Sequence, residues 1–148
     1  VDALPCLAAL MNPTFKAVEK TDCSSMINQM DSATNKQFYQ MQKMSIPRLV
    51  ADTSKQELVV GWSVKSDRRT FAEMYCDFSN TDLREKIKTI KCPSLILLEE
   101  SFKNVKPAIE EQYKNLKTAN LQYSNNGLHF IMYDDKEWYL NQLNNFLN

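Results

Sequence analysis

Glycine is almost missing from this chain: of 148 residues only Gly61 and Gly127 are glycine, and they lie far apart. A G-x-S-x-G nucleophile elbow, a G-x-G-x-x-G dinucleotide loop and a phosphate-cradling P-loop each need two glycines close together, so none of them can be written here. Histidine is scarcer still, with His129 alone, and the four cysteines (Cys6, Cys23, Cys76, Cys92) include no C-x-x-C pair. A zinc site draws on ligands at short paired spacing, so no metal and no cofactor is expected. Net charge is also absent, with 18 Lys+Arg against 18 Asp+Glu. That balance lacks the basic face of a nucleic-acid binder, and no nucleic-acid partner is expected. No stretch approaches the roughly 20 consecutive apolar residues of a membrane span, and none reads as a secretory signal.

What is present is apolar and mostly helical in pattern. At 43% hydrophobic residues the chain is too apolar for a disordered tail, and its length suits one domain. Four cysteines allow three disulfide pairings. The length makes a stable core feasible without any, so free, buried thiols are expected and the compartment is left open. Met26, Ile27 and Met30 form a short apolar face after Asp22. Ser32 is placed to cap a helix carrying Phe38, Met41 and Met44, which Pro47 ends. Leu58 and Trp62 mark another helix. Asp67 opens a segment in which Phe71, Met74, Tyr75 and Phe78 recur at i, i+3, i+4, i+7. Asp82 and Glu85 have capping-box spacing ahead of Leu83, Ile87 and Ile90.

After Cys92-Pro93 the pattern changes. Ser94-Leu95-Ile96-Leu97-Leu98 is an uninterrupted apolar run between a proline and Glu99-Glu100, which fits a strand buried on both faces. Pro107 opens a helix with Ile109, Tyr113 and Leu116 on one side. Leu121 and Tyr123 alternate in a second strand closed by Ser124-Asn125-Asn126-Gly127. Asp134 and Glu137 are spaced to cap a last helix bearing Tyr139, Leu143, Phe146 and Leu147. Helix, strand, helix, strand, helix is the order of a parallel α/β sheet edge. Two such strands make a poor sheet alone. The chain therefore reads as a piece of a larger fold, with Val1 an unnatural start and exposed strand edges open to homodimer pairing.

In that order these segments resemble the C-terminal half of an α/β-hydrolase. Val1-Asp2-Ala3-Leu4-Pro5 resembles the tail of that family's sixth strand, and residues 6–80 resemble the helical cap inserted after it. Ser66-Asp67-Arg68-Arg69-Thr70-Phe71, leading to Thr81-Asp82-Leu83-Arg84, resembles the return into the core. Ile90-Lys91-Cys92-Pro93-Ser94-Leu95-Ile96-Leu97 is similar to the entry to the seventh strand, and Gly127-Leu128-His129-Phe130 to the loop carrying the catalytic histidine. The fold implied is a partial α/β-hydrolase, with the end of a core strand at 1–5, a mostly helical cap at 6–80, and at 81–148 a core segment holding the last two parallel strands and their flanking helices.

The resemblance implies chemistry as well. His129 would be the general base of a serine-type triad acting on an ester, amide or related bond of a small molecule. The plainer alternative is a histidine merely hydrogen-bonded in its loop. The family's usual acid position falls on or near Phe102, a departure, so Asp2 is the preferred acid and Glu99 and Glu100 are alternatives. The plainer reading of all three is a solvated carboxylate at a strand end. In the cap, Met26, Met30, Phe38, Met41 and Trp62 are candidate substrate-lining residues, set against the simpler role of packing the cap on itself. None of the eleven serines stands in a Gly-flanked turn. The chain alone is therefore expected to be inactive, with its nucleophile and oxyanion hole upstream. A non-catalytic helical ligand-binding or interaction module is the alternative function.

Overall fold

Helix-forming signals dominate up to residue 80, and a computed structural model, which describes residues 2–148, turns them into four helices. Helix α1 spans Ser24–Ser32, α2 Asn35–Ser45, α3 Thr53–Ser63 and α4 Arg68–Asn80. The cap of α2 is Thr34 rather than Ser32. Its hydroxyl accepts from the Gln37 amide while Gln37 reaches back to the Thr34 amide, a reciprocal capping box that Ser32, as the last residue of α1, cannot make. Asp67 caps α4 as expected, accepting from the Thr70 amide at 2.8 Å.

The expected free thiols are partly corrected. Cys23 and Cys76 form a disulfide joining the start of α1 to α4, while Cys6 stays free and buried and Cys92 free and exposed. Spacing carries no information about such a pair, because the two cysteines meet only once α1 lies against α4. The disulfide matters because α1 contributes no fully buried residue of its own.

The second half holds the sheet. Strand β1 (Ser94–Leu98) and strand β2 (Ala119–Tyr123) pair in parallel, Ser94 against Ala119 through Leu98 against Tyr123. A parallel pair needs a crossover, supplied by α5 (Lys106–Tyr113), with Pro107 in its first turn where a missing N–H costs nothing. Burial along β1 is graded: Leu97 and Leu98 are buried, whereas Leu95 and Ile96 are only half-buried. Leu4, Leu98, Ile109, Tyr113 and Leu116 form one core, with Leu7, Leu10 and Leu121 packed against it. A second core of Ile46, Val50, Val59 and Val60 lies in the helical half.

Two further capping expectations fail. Around Asp82 the chain forms only a short 3-10 turn at Lys86–Thr89, because the Asp82 carboxylate is taken by the Arg84 amide and guanidinium. Asp134 ends a one-turn helix α6 (Ile131–Asp134) instead of capping α7 (Lys136–Leu147), since its carboxylate is engaged elsewhere. Among the described residues no helix is long and apolar enough to cross a membrane.

Candidate functional site

Two chain segments meet beyond the carboxyl end of β1. The first is the stretch from Asp2 to Pro5, which forms no strand but runs beside β1, the Asp2 amide donating to the Leu97 carbonyl at 2.5 Å. Val1, the first residue of the expected strand tail, lies outside the described residues. Asp2 has φ 47°, the left-handed region, which Asp tolerates better than most residues but which still carries a conformational cost. That backbone turn goes with a buried carboxylate, one oxygen of which accepts from the Glu99 amide at 2.7 Å.

The second segment is the loop after β2. Ser124, fully buried, accepts from the amides of Asn126 and Gly127 and donates to Asp135, which folds the chain back on itself. Gly127 is required by close approach: a Cβ there would lie 2.8 Å from Ser124 Oγ and 3.3 Å from the Ile131 backbone. The Glu100 amide donates to the Gly127 carbonyl, fixing the loop against the end of β1.

The result is a carboxylate–imidazole pair. His129 Nδ1 lies 2.8 Å from the second carboxylate oxygen of Asp2. A carboxylate only accepts, so Nδ1 carries the proton and Nε2 is left as the acceptor nitrogen of the neutral ring. The Asp2 side chain is 3% exposed and that of His129 46%, so the acid is shielded while the ring reaches the surface. The hydrogen bond to Asp2 raises the His129 pKa above 6.5. Burial opposes the rise, and the charges of Asp2 and Glu99 add to it.

Of the three candidate acids, then, Asp2 stands against His129. Glu99 makes no hydrogen bond to His129 and accepts one from Ser101 instead. Its pKa is pushed up first by burial and then by the charge of Asp2, against a hydrogen bond from Ser101 that lowers it. Glu100 is exposed and opens a 3-10 turn (Glu100–Val105). Among the described residues no group of three potential metal ligands comes together.

No family model, characterised protein or solved structure matches the chain.

The five candidate lining residues disperse. Phe38 is fully buried, edge-on to Phe71 with the Arg68 guanidinium over its ring. Met26 and Met30 on α1 and Met41 on α2 are half-buried. Only Trp62 connects to His129, through a row of aromatic rings: Trp62 to Tyr133 at 6.2 Å between centroids, Tyr133 to Phe130 at 6.3 Å, and Phe130 edge-on to His129 at 5.4 Å. Tyr133 is not among the residues the sequence singles out, and Phe130 stands there only as part of the Gly127-Leu128-His129-Phe130 loop. Their nearness to His129 in the chain was the available signal. A separate groove of about 920 Å³, lined by Phe15, Arg84, Pro107, Gln112 and Asn115, contains none of these residues.

Proposed function

We propose that this chain is the part of a serine-type α/β-hydrolase that contributes the acid and base, with residues 6–80 as its helical cap and 81–148 as the end of its core. The Asp2–His129 hydrogen bond carries the reading. A buried carboxylate on the Nδ1 side holds the ring in the tautomer whose Nε2 accepts a proton, and it stabilises the imidazolium once that proton arrives. In the reaction, His129 Nε2 takes the proton of a serine hydroxyl as the oxygen attacks the carbonyl of an ester or amide, and later returns it to the leaving group. Among the described residues the His129 ring hydrogen-bonds Asp2 and no serine, and in this proposal the nucleophile and the oxyanion donors are supplied by another segment.

The test is hydrolysis of a simple aryl ester by the gene product that carries this chain. His129→Ala is expected to lower kcat by about a thousandfold or more with an unchanged circular dichroism spectrum. Turnover near wild type in that variant, or wild-type protein with neither ester hydrolysis nor labelling by a fluorophosphonate, overturns the proposal.

The interaction module is a second reading, favoured by one observation. The apolar stripe of α4 faces solvent, with Met74 67%, Tyr75 51% and Phe78 43% exposed. A wild-type protein inert to esters leaves this reading in front.

A further inference from the structure

Asp134 takes all three of its hydrogen bonds from backbone amides, and it is hydrogen-bonded to neither His129 nor Asp2. One of its oxygens accepts from the Ala51 amide at 3.0 Å and from the Leu128 amide at 3.0 Å, and the other from the Asp52 amide at 2.9 Å. These donors come from two places far apart in sequence. Ala51 and Asp52 form the junction ahead of α3, whereas Leu128 immediately precedes His129. Beside this clasp the Phe130 amide donates to the Leu49 carbonyl at 3.0 Å, so the backbone on both sides of His129 is tied to residues 49–52. Phe130 and Tyr133 complete the seam by packing on the core of Ile46, Val50, Val59 and Val60.

We infer that Asp134 is a positioning residue. It locks the histidine loop to the junction between the helices α2 and α3, so that the helical half sets where the imidazole stands relative to Asp2. A charged acceptor serves this better than a neutral one. Three N–H groups converge on two oxygens, and an ionised carboxylate is acceptor-only at both, whereas an amide presents two N–H donors in place of one oxygen. Backbone amides as donors also make the clasp independent of side-chain identity at positions 51, 52 and 128. The consequence is mechanical. When residues 49–52 move, Leu128 and Phe130 move with them, and the 2.8 Å contact between His129 and Asp2 opens. As a statement about catalysis this rests on the hydrolase reading; as a statement about His129 it does not.

The experiment is an NMR titration of His129 in wild type and Asp134→Asn, which keeps the side-chain shape while placing donors against donors. The expected result is a His129 pKa that falls back toward about 6.5, the ordinary histidine value, in a protein that stays folded. In the ester assay, kcat falls about ten- to a hundredfold at little-changed KM. An unmoved His129 titration, with or without a loss of stability, overturns the inference and makes Asp134 a fold residue only.

Should Asp134→Asn fail to fold, hydrogen exchange of wild-type protein decides. The amides of Ala51, Asp52 and Leu128 are expected to exchange through one common opening, and distinct opening free energies overturn the clasp. A moved titration in a protein that hydrolyses no ester leaves the clasp standing and removes the hydrolase.

Discussion

Two helices that carry an apolar stripe, α4 in the first half and α5 in the second, treat it in opposite ways. On α5, Ile109 and Tyr113 are buried, and Leu116 just beyond its end joins them in the core beneath β1 and β2, as their spacing asks. On α4 the more regular stripe of Phe71, Met74, Tyr75 and Phe78 lies largely outside. The residues that face inward are Ala72 and Cys76. Periodicity is a local property and reports that a helix forms. Which face is covered depends on what arrives from elsewhere. For α5 the strands arrive. For α4 the neighbour is α1, drawn to the Cys76 side by a disulfide, so small side chains and sulfur take the interface.

If the disulfide rather than apolar packing holds that interface, removing it should release α1 from α4. Cys23→Ser with Cys76→Ser is expected to cost about 2–4 kcal/mol, from the freedom returned to a loop whose ends are 53 residues apart. The loss should be local. Hydrogen exchange should show α1 and α4 losing protection while β1, β2 and α5 keep theirs. Uniform loss across both halves would mean that the two regions form one cooperative unit, and the contrast would fall.

The same contrast governs what was legible. The run Ser94–Leu98, Pro107 and the Leu121/Tyr123 alternation mark β1, α5 and β2 close to where they occur, because each signal is complete within a few residues. Asp67 reads as a cap for the same reason. Asp134 does not read as a clasp, since two of its three donors lie 82 and 83 residues away and its spacing to Glu137 imitates a cap. Thr34 displaces Ser32 because Gln37, not the residue three past Ser32, closes the box. At the site, the sequence signal for His129 is the Gly127 turn, whereas Asp2 is a candidate through the resemblance alone, on a stretch that forms no strand. Their 2.8 Å approach across 127 positions is a product of the fold and has no signature in either segment alone.

A smaller effect separates Asp2 from Glu99. Asp2 is the first cause of the raised His129 pKa and Glu99 a minor one. Asp2→Asn is therefore expected to return the His129 titration toward about 6.5, while Glu99→Gln lowers it only slightly. The pH dependence of stability follows from the sign. A histidine raised by its partner contributes fully below its unfolded value of about 6.5, and the contribution is lost as pH rises through the higher folded value. Wild type should lose that increment across this window and Asp2→Asn should not, as denaturant melts at a series of pH values will show. Equal shifts from the two variants would assign the acid's part to neither.

The smallest effect expected lies on α4. Tyr75 stacks on Phe71 at 6.5 Å between centroids and meets Phe78 edge-on, yet half of it is in water. Replacing it with serine removes contacts among rings that are themselves partly solvated, so the folded chain should lose no more than about 0.5 kcal/mol. Leu98, fully buried between the strands and α5, should by contrast cost about 2–5 kcal/mol when cut to alanine. The two measurements belong together because they apply one question to both halves. If Tyr75→Ser costs as much as Leu98→Ala in a denaturant melt, the α4 stripe is covered in solution. The face would then be an interface, and the small residues turned toward α1 would be only one of two packed surfaces on that helix.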